Sequence, residues 1–168
     1  MQFEAALELA LIGDAARSQA LANDLSKRYP EDTIVQFKEL PTLRAQLALS
    51  RNQPSKAIED LQAALPYDMG VLAIGIISYP AYVRAEAYLA AHDGSKGEIE
   101  FQKIIDHPSV GMHSIGARAH LGLARAYALQ GATVKAKTAY QNFLVLWKDA
   151  EPDIQVLREA KAEYAKLQ

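Results

Sequence analysis

The sequence predicts an all-α protein built from repeated helical hairpins, and two observations carry this prediction. Apolar residues recur at helical spacing along most of the 168 residues. In addition, a small residue followed four positions later by an apolar one recurs at intervals of 39, 40 and 39 residues. The small residues are Ser18, Ala57, Gly97 and Ala136, and those that follow are Ala22, Leu61, Phe101 and Tyr140. Hairpins repeated at a fixed interval stack on their neighbours, so we expect an α-solenoid.

Helix-breaking residues divide each predicted hairpin into two helices. The breaks fall at Gly13-Asp14, Asn52-Gln53-Pro54, His92-Asp93-Gly94 and Gly131. In the second hairpin Pro41 starts or kinks the first helix, because proline lacks the amide hydrogen of a helix interior. Its second helix carries Ile58, Leu61 and Leu65 on one apolar face. We predict one domain over 1–168, with repeats over about 1–32, 33–68, 76–108 and 114–150 and a capping helix over 152–167.

The capping helix is predicted from one apolar stripe near the end of the chain. The stripe consists of Ile154, Leu157, Ala160, Tyr164 and Leu167, while Arg158, Glu159, Lys161, Glu163 and Lys166 are predicted to face water. Small residues explain how the hairpins approach one another. Gly97 and Ala136 are predicted to leave room for the aromatic side chains of Tyr88, Phe101, Tyr127 and Tyr140.

Composition excludes several classes of function. The formal net charge is −2, so no overall positive field exists to hold nucleic acid. There is no cysteine, which removes thiol chemistry and Cys-based metal sites. The most apolar run, 69–79, is too short to cross a bilayer, and the N-terminus has no secretory signal. We therefore expect no nucleic-acid partner and no direct membrane insertion.

The fourth repeat carries a recognisable signature. Leu123, Ala124, Tyr127, Gly131, Ala136 and Tyr140 together resemble the tetratricopeptide (TPR) repeat. The resemblance implies a right-handed solenoid whose first helices line a concave face. The interval is about five residues longer than the TPR repeat, and the extra residues are predicted to lengthen the connections over 32–37, 67–78 and 107–114.

Several stretches are similar to the C-terminal TPR region of large bacterial regulators, notably acidobacterial serine/threonine protein kinases. They are residues 29–33, 64–67, 79–84, 101–107, 120–127 and 146–154. The resemblance implies that the chain belongs to a larger bacterial regulatory protein. The chain has no Gly-rich kinase loop, no His-Arg-Asp loop and no Asp-Phe-Gly, so we expect no phosphoryl transfer by this segment.

Candidate catalytic and metal-binding residues do not form a recognised pattern. His92, His107, His113 and His120 lack the i, i+4 spacing that aims two ligands at one ion, so loop and helix-capping roles are expected for them. No Gly-x-Ser-x-Gly elbow occurs, and the carboxylate pairs Glu59/Asp60 and Glu98/Glu100 are assigned to solvated helix faces. We expect no enzyme activity, no cofactor and no metal.

The predicted function is therefore protein or peptide binding in the concave groove. By the TPR resemblance, the second, fifth and ninth positions of each first helix point into that groove. These positions hold Glu39, Thr42, Gln46, Tyr79, Tyr82, Glu86, Arg118, Leu121 and Arg125. Hydrogen-bonding, aromatic and charged groups together suit an extended peptide or an amphipathic helix. TPR clamps for a terminal carboxylate use Lys and Asn at groove positions. This chain has other residues at the corresponding positions.

Two alternatives remain open from the sequence. An exposed apolar face on the first helix, formed by Phe3, Leu7 and Leu11, could pair two copies into a homodimer. The connection over 69–79 could instead hold a small molecule. The compartment is not fixed by the sequence: a cytoplasmic location is favoured, and an extracytoplasmic one would follow from a membrane-spanning parent kinase.

Overall fold

Helices make up nearly all of the chain that the structure describes. This computed structural model describes residues 2–68, 71–72, 75–76, 78–107, 114–151 and 153–167. Within those ranges the strands are β1 (Val71–Leu72) and β2 (Gly75–Ile76), which pair antiparallel with Val71 opposite Ile76. The predicted all-α class is confirmed. None of the described helices combines the length and the apolarity needed to span a bilayer.

The helices follow one another in pairs. They are α1 (Gln2–Leu11), α2 (Ala15–Arg28), α3 (Leu40–Ser50), α4 (Pro54–Asp60), α5 (Tyr79–Ala90), α6 (Gly94–Ile105), α7 (Ser114–Leu129), α8 (Thr133–Leu146) and α9 (Gln155–Ala165). Helices α1 and α2, α3 and α4, α5 and α6, and α7 and α8 pack against each other as hairpins. The first helices of successive hairpins are also neighbours, because α1 contacts α3, α3 contacts α5, and α5 contacts α7.

One turn geometry joins the two helices of all four hairpins. Gly13, Asn52, His92 and Gly131 each adopt a left-handed backbone, with φ of +90°, +56°, +59° and +71°. The next residue then donates its N–H to the carbonyl five positions back, over 2.8–3.0 Å. Such a C-cap satisfies carbonyls at the helix end and reverses the chain. The turns recur at intervals of 39, 40 and 39 residues, so the sequence repeat is also a structural repeat.

The four small anchor residues lie one turn into the second helix of each hairpin. All four are buried: Ser18, Ala57, Gly97 and Ala136. Each donates its N–H to the carbonyl oxygen of the residue four positions earlier, with N···O distances of 2.9–3.1 Å. Their burial agrees with the predicted role of small residues, which allow the two helices to approach closely.

The aromatic side chain at Phe101 does not pack where the sequence predicted. A Cβ added at Gly97 would meet the Leu89 side chain at 3.2 Å, whereas one added at Gly122 would lie only 2.2 Å from the Phe101 ring. The ring of Phe101 is fully buried and occupies the space that Gly122 leaves on α7. Because the contact joins α6 to α7, it is made between hairpins, and a pattern read within one repeat cannot reveal it.

The second hairpin departs from regular α-helix at both ends. Residues 33–39, predicted in part as a lengthened connection over 32–37, are helical and include a π-helical turn, Val35–Glu39. Pro41 follows this turn at the start of α3. The prediction of a connection was wrong because the chain is already helical there. A π turn holds one more residue than an α turn, and Pro41 at the junction has no backbone N–H to donate. Pro41 therefore starts the regular helix, which was one of its two predicted roles.

Helix α4 changes its winding after Asp60. The chain continues as a 3₁₀ helix over Leu61–Tyr67, in which three residues complete a turn. Leu61 stays fully buried, but Leu65 is 44% exposed. The prediction that Leu65 shares the buried face was wrong, because the tighter winding shifts the direction of side chains beyond Leu61.

Two apolar clusters stabilise the stack. The first extends from α1 to α7, and the second joins α7, α8 and α9. Tyr127 packs against both clusters. The predicted stripe on α9 packs as expected, with Leu157 and Ala160 buried. Of the predicted connection over 107–114, residues 108–113 lie outside the described residues.

Candidate functional site

A cleft of about 620 Å³ opens between the end of α1 and the helices α5, α7 and α9. It is lined by Leu11, Ile12, Gly13, Tyr82, Glu86, Arg118, Leu121, Arg125, Ile154, Gln155, Val156 and Glu159. Five of the nine predicted groove residues are among them: Tyr82, Glu86, Arg118, Leu121 and Arg125. The helical period of α5 and α7 brings these five together, because residues three, four or seven positions apart lie on one helix face.

A polar network forms part of the cleft wall. The Tyr82 side chain lies close enough to Glu86 on the same helix and to Arg118 on α7 for both to influence its ionisation. Burial and the nearby Glu86 carboxylate raise the pKa of Tyr82, so the phenol stays protonated. Burial also raises the pKa of Glu86, although Arg125, Tyr82 and Arg118 favour its charged form. The Nε atom of Arg118 is buried and has no hydrogen-bond partner.

Arg125 is engaged by the C-terminal helix. Its Nε and Nη2 atoms donate to the two carboxylate oxygens of Glu163 at 2.9 and 2.8 Å, and Nη2 lies 3.4 Å from Glu159. The Tyr140 hydroxyl adds a 2.8 Å hydrogen bond to Glu163. Burial works against the Glu163 carboxylate, but the bonds from Arg125 and Tyr140 outweigh it and lower its pKa.

The exposed face predicted for α9 is therefore wrong at one position. Arg158, Glu159, Lys161 and Lys166 are exposed, but Glu163 is only partly so. Its carboxylate faces α7 because Arg125 donates to both of its oxygens, and such a bidentate pair is strong and geometrically specific. The interaction links residues 38 positions apart, so no local pattern predicts it.

The predicted groove residues on α3 are covered by neighbouring helices. Thr42 is fully buried, and its hydroxyl donates to the Lys38 carbonyl at 2.6 Å. Gln46 is 9% exposed, and its Oε1 atom has no hydrogen-bond partner. Phe3 of α1 and Tyr79 of α5 meet edge to face, with ring centroids 5.7 Å apart. This contact joins α1 and α5, the two helices that flank α3.

Glu39 and Tyr79, the remaining predicted groove residues, are partly buried. Burial raises the pKa of Glu39, and the nearby carboxylates of Asp32 and Glu4 add to the effect. Burial likewise raises the pKa of Tyr79, with Glu4 and Glu8 contributing. Carboxylates of α1 therefore lie close to the same face as these two residues.

The apolar face predicted to be exposed on α1 is packed inside the protein. Leu7 is 1% exposed, and Phe3 and Leu11 pack against the first apolar cluster. The expectation that Phe3, Leu7 and Leu11 form an exposed face was wrong, because α3 and α5 cover it. The exposed face was the observation that motivated the pairing of two copies, so pairing through α1 no longer has that support.

A buried ion cluster beside the 69–77 connection escaped the sequence analysis. Arg84 on α5 is 1% exposed and donates to Asp68 through Nη1 at 3.2 Å and to Glu100 through Nη2 at 2.6 Å. Glu100 also binds Lys103 at 2.7 Å. The assignment of Glu100 to a solvated face was wrong, because Arg84 compensates its charge in the core. The three residues are spaced by 16 positions, beyond any helical period.

The histidines do not converge. His107 is hydrogen-bonded through Nδ1 to the Lys103 carbonyl at 2.6 Å, at the end of α6, which matches the expected capping role. His92 occupies the left-handed turn after α5. His120 is partly buried, and burial lowers its pKa. His113 lies outside the described residues. Within the described ranges, no group of three or more His, Asp or Glu residues is placed to hold a metal ion.

The chain matches no protein-family model, no curated protein and no solved structure at a significant level.

Proposed function

We propose that the chain is a non-catalytic, TPR-like solenoid that binds a short peptide segment of another protein in the cleft between α1, α5, α7 and α9. The observation that carries the proposal is the convergence of Tyr82, Glu86 and Arg118 on one cleft. The repeated hairpins and the neighbouring first helices support the TPR-like assignment. The place of the chain within a larger bacterial regulator is part of the same proposal.

The cleft combines the two properties that peptide recognition needs. Apolar side chains at its edge and floor, such as Ile12 and Leu121, can exclude water around a bound side chain. Polar groups fix orientation, and the side chains of Glu86 and Arg118, which line the cleft, can hydrogen-bond a peptide backbone. A volume of about 620 Å³ falls within the roughly 300–1,000 Å³ of ligand pockets. This size favours a few extended residues over a complete helix, so the proposed occupant is a short extended segment.

The proposal is tested by selecting peptides from a random display library on the immobilised protein. Binding of the selected peptides is then measured by fluorescence anisotropy against two variants. Ile12→Asp places a charge at the cleft edge, on a side chain that is 76% exposed. Val134→Asp makes the same change at the start of α8, at a side chain that is 80% exposed and outside the cleft.

We expect Ile12→Asp to abolish binding of most selected peptides, while Val134→Asp binds them like the wild type. Both positions are exposed, so neither variant should unfold the protein, and equal thermal denaturation curves would verify this. Selected peptides that bind both variants equally well would contradict a binding site in the cleft.

A further inference from the structure

The start of the C-terminal helix α9 forms one wall of the cleft. Four residues there line it: Ile154, Gln155, Val156 and Glu159. The first helices of successive hairpins pack closely on one another, but α9 packs mainly on α8 and stands off from α7. Because α7 supplies another wall of the cleft, the shape of the cleft depends on where α9 lies relative to α7.

Two kinds of contact hold α9 in place. The first is apolar: Leu157 and Ala160 are buried in the second apolar cluster, among residues of α7 and α8. The second is polar and lies one turn further along α9. There the Glu163 carboxylate accepts hydrogen bonds from Arg125 at 2.9 and 2.8 Å and from the Tyr140 hydroxyl at 2.8 Å. Every hydrogen bond that the structure describes between α7 and α9 is donated by Arg125.

The polar contact sets the direction of the helix. Apolar contact is non-directional, so burial of Leu157 and Ala160 leaves the tilt of α9 only loosely defined. A bidentate arginine–carboxylate pair is geometrically specific. Glu163 lies seven residues beyond Val156, about 10 Å further along the helix at 1.5 Å per residue. Holding α9 at Glu163 therefore fixes its direction, and with it the cleft wall at the other end.

We infer that Glu163 is a positioning residue for the cleft: its pair with Arg125, supported by Tyr140, holds α9 at the distance from α7 that peptide binding requires. The inference rests on the proposed function and adds a residue that controls the site from outside, because Glu163 is not among the residues that line the cleft. It also assigns Arg125 a role in holding the wall, since its guanidinium is already paired within the chain.

Peptide affinity provides the first test, with a library-selected peptide whose binding is sensitive to Ile12→Asp. Glu163→Gln keeps the shape of the side chain and removes its charge. The Arg125 and Glu163 side chains are each 30% exposed, and a pair of this kind favours the held position by about fivefold. A ligand binds only the competent fraction of the protein, so we expect binding to weaken by about fivefold.

Two further variants calibrate that loss. Tyr140→Phe removes one supporting hydrogen bond and leaves the pair with Arg125 in place, so its effect should be smaller, about twofold. Glu59→Gln is the control and should bind like the wild type. Glu59 also pairs with a lysine, at 3.5 Å, but it is 74% exposed on α4 and lies outside the cleft.

A distance measurement separates positioning from other effects of the substitution. The chain has no cysteine, so spin labels at Ile99→Cys on α6 and Lys161→Cys on α9 report one distance by pulsed electron paramagnetic resonance. Both side chains are exposed. We expect a narrow distance distribution without further change, a broader one after Glu163→Gln, and no broadening after Glu59→Gln. Circular dichroism verifies that each labelled protein is folded, so that a general loss of stability cannot account for the broadening.

The outcomes separate the inference from the proposed function. A broader distribution together with weaker peptide binding in Glu163→Gln supports the positioning role. An unchanged distribution, or an unchanged peptide affinity, overturns the inference and leaves peptide binding in the cleft in place. If no library-selected peptide is sensitive to Ile12→Asp, the proposed function fails, and the inference that rests on it fails as well.

Discussion

Replacing Arg84 by methionine should be among the most destabilising single changes in the described part of the chain. The side chain is 1% exposed and lies between Asp68 and Glu100, whose side chains are each 9% exposed. Burial disfavours the charged guanidinium, but hydrogen bonds to both carboxylates outweigh it and hold the pKa of Arg84 above its ordinary value. Arg84→Met keeps much of the side-chain volume and leaves two buried carboxylates without their shared counter-ion.

The magnitude follows from the burial of the cluster. Removing one partner of a buried ion pair costs about 3–5 kcal/mol, out of a total unfolding free energy of about 5–15 kcal/mol for a typical domain. Lys103 stays 2.7 Å from Glu100, and Lys38 attracts Asp68. These two cations offset part of the loss, so we expect about 3 kcal/mol, at the lower end of that range.

Urea denaturation followed by far-ultraviolet circular dichroism measures this loss at pH 7. The triple variant Asp68→Asn, Arg84→Met, Glu100→Gln removes the orphaned charges and should recover most of the stability. A single variant within 1 kcal/mol of the wild type, or a triple variant no more stable than the single one, would refute the reasoning.

Three further predictions concern the helix contact, the cleft and the turns. Gly122→Ala brings a Cβ within 2.6 Å of three Phe101 ring atoms, so overpacking should outweigh the gain in helix propensity and lower the unfolding free energy by about 1–2 kcal/mol. When Phe101→Leu is added, the combined loss in urea denaturation should be smaller than the sum of the two single losses. Burial raises the pKa of Glu86 in the folded protein above its ordinary value of 4.5, so wild-type stability should fall as the pH rises from the ordinary pKa through the folded-state pKa. In thermal denaturation, Glu86→Gln should therefore be more stable than the wild type at pH 8 and equal to it below about pH 4. A stability difference that does not change with pH would be inconsistent with this. His92→Gly should stabilise the protein by about 1 kcal/mol because φ is +59°, whereas Ala91→Gly, where φ is −83°, should not, and a denaturation midpoint that moves the same way in both would contradict strain at the turn.

Much of the fold follows from local signals in the sequence. Gly13, Asn52, His92 and Gly131 are turn residues at a fixed interval, and each of them lies in a left-handed turn between two helices. A left-handed backbone is a property of the residue and its neighbours, so the sequence reveals it. The π-helical turn Val35–Glu39, which contacts α2, was missed because the sequence analysis placed part of a connection there.

The cleft could be predicted only in part, for a related reason. Helical period places Tyr82 and Glu86 on one face of α5, and Arg118 and Arg125 on one face of α7. It does not show that Phe3 of α1 contacts Tyr79 of α5, nor that Glu163 engages Arg125 from α9. These contacts join residues far apart in sequence, and only the packing of the hairpins sets them.

Mapping a bound peptide onto the protein tests the central claim most directly. The measurement is a titration of isotope-labelled protein with a library-selected peptide, followed by amide chemical shifts in two-dimensional NMR. The account predicts that the largest shifts fall on Ile12, on Tyr82 and Glu86, and on Arg118 and its neighbours in α7. Shifts confined to the second helices α2, α4, α6 and α8 would contradict a binding site in the cleft.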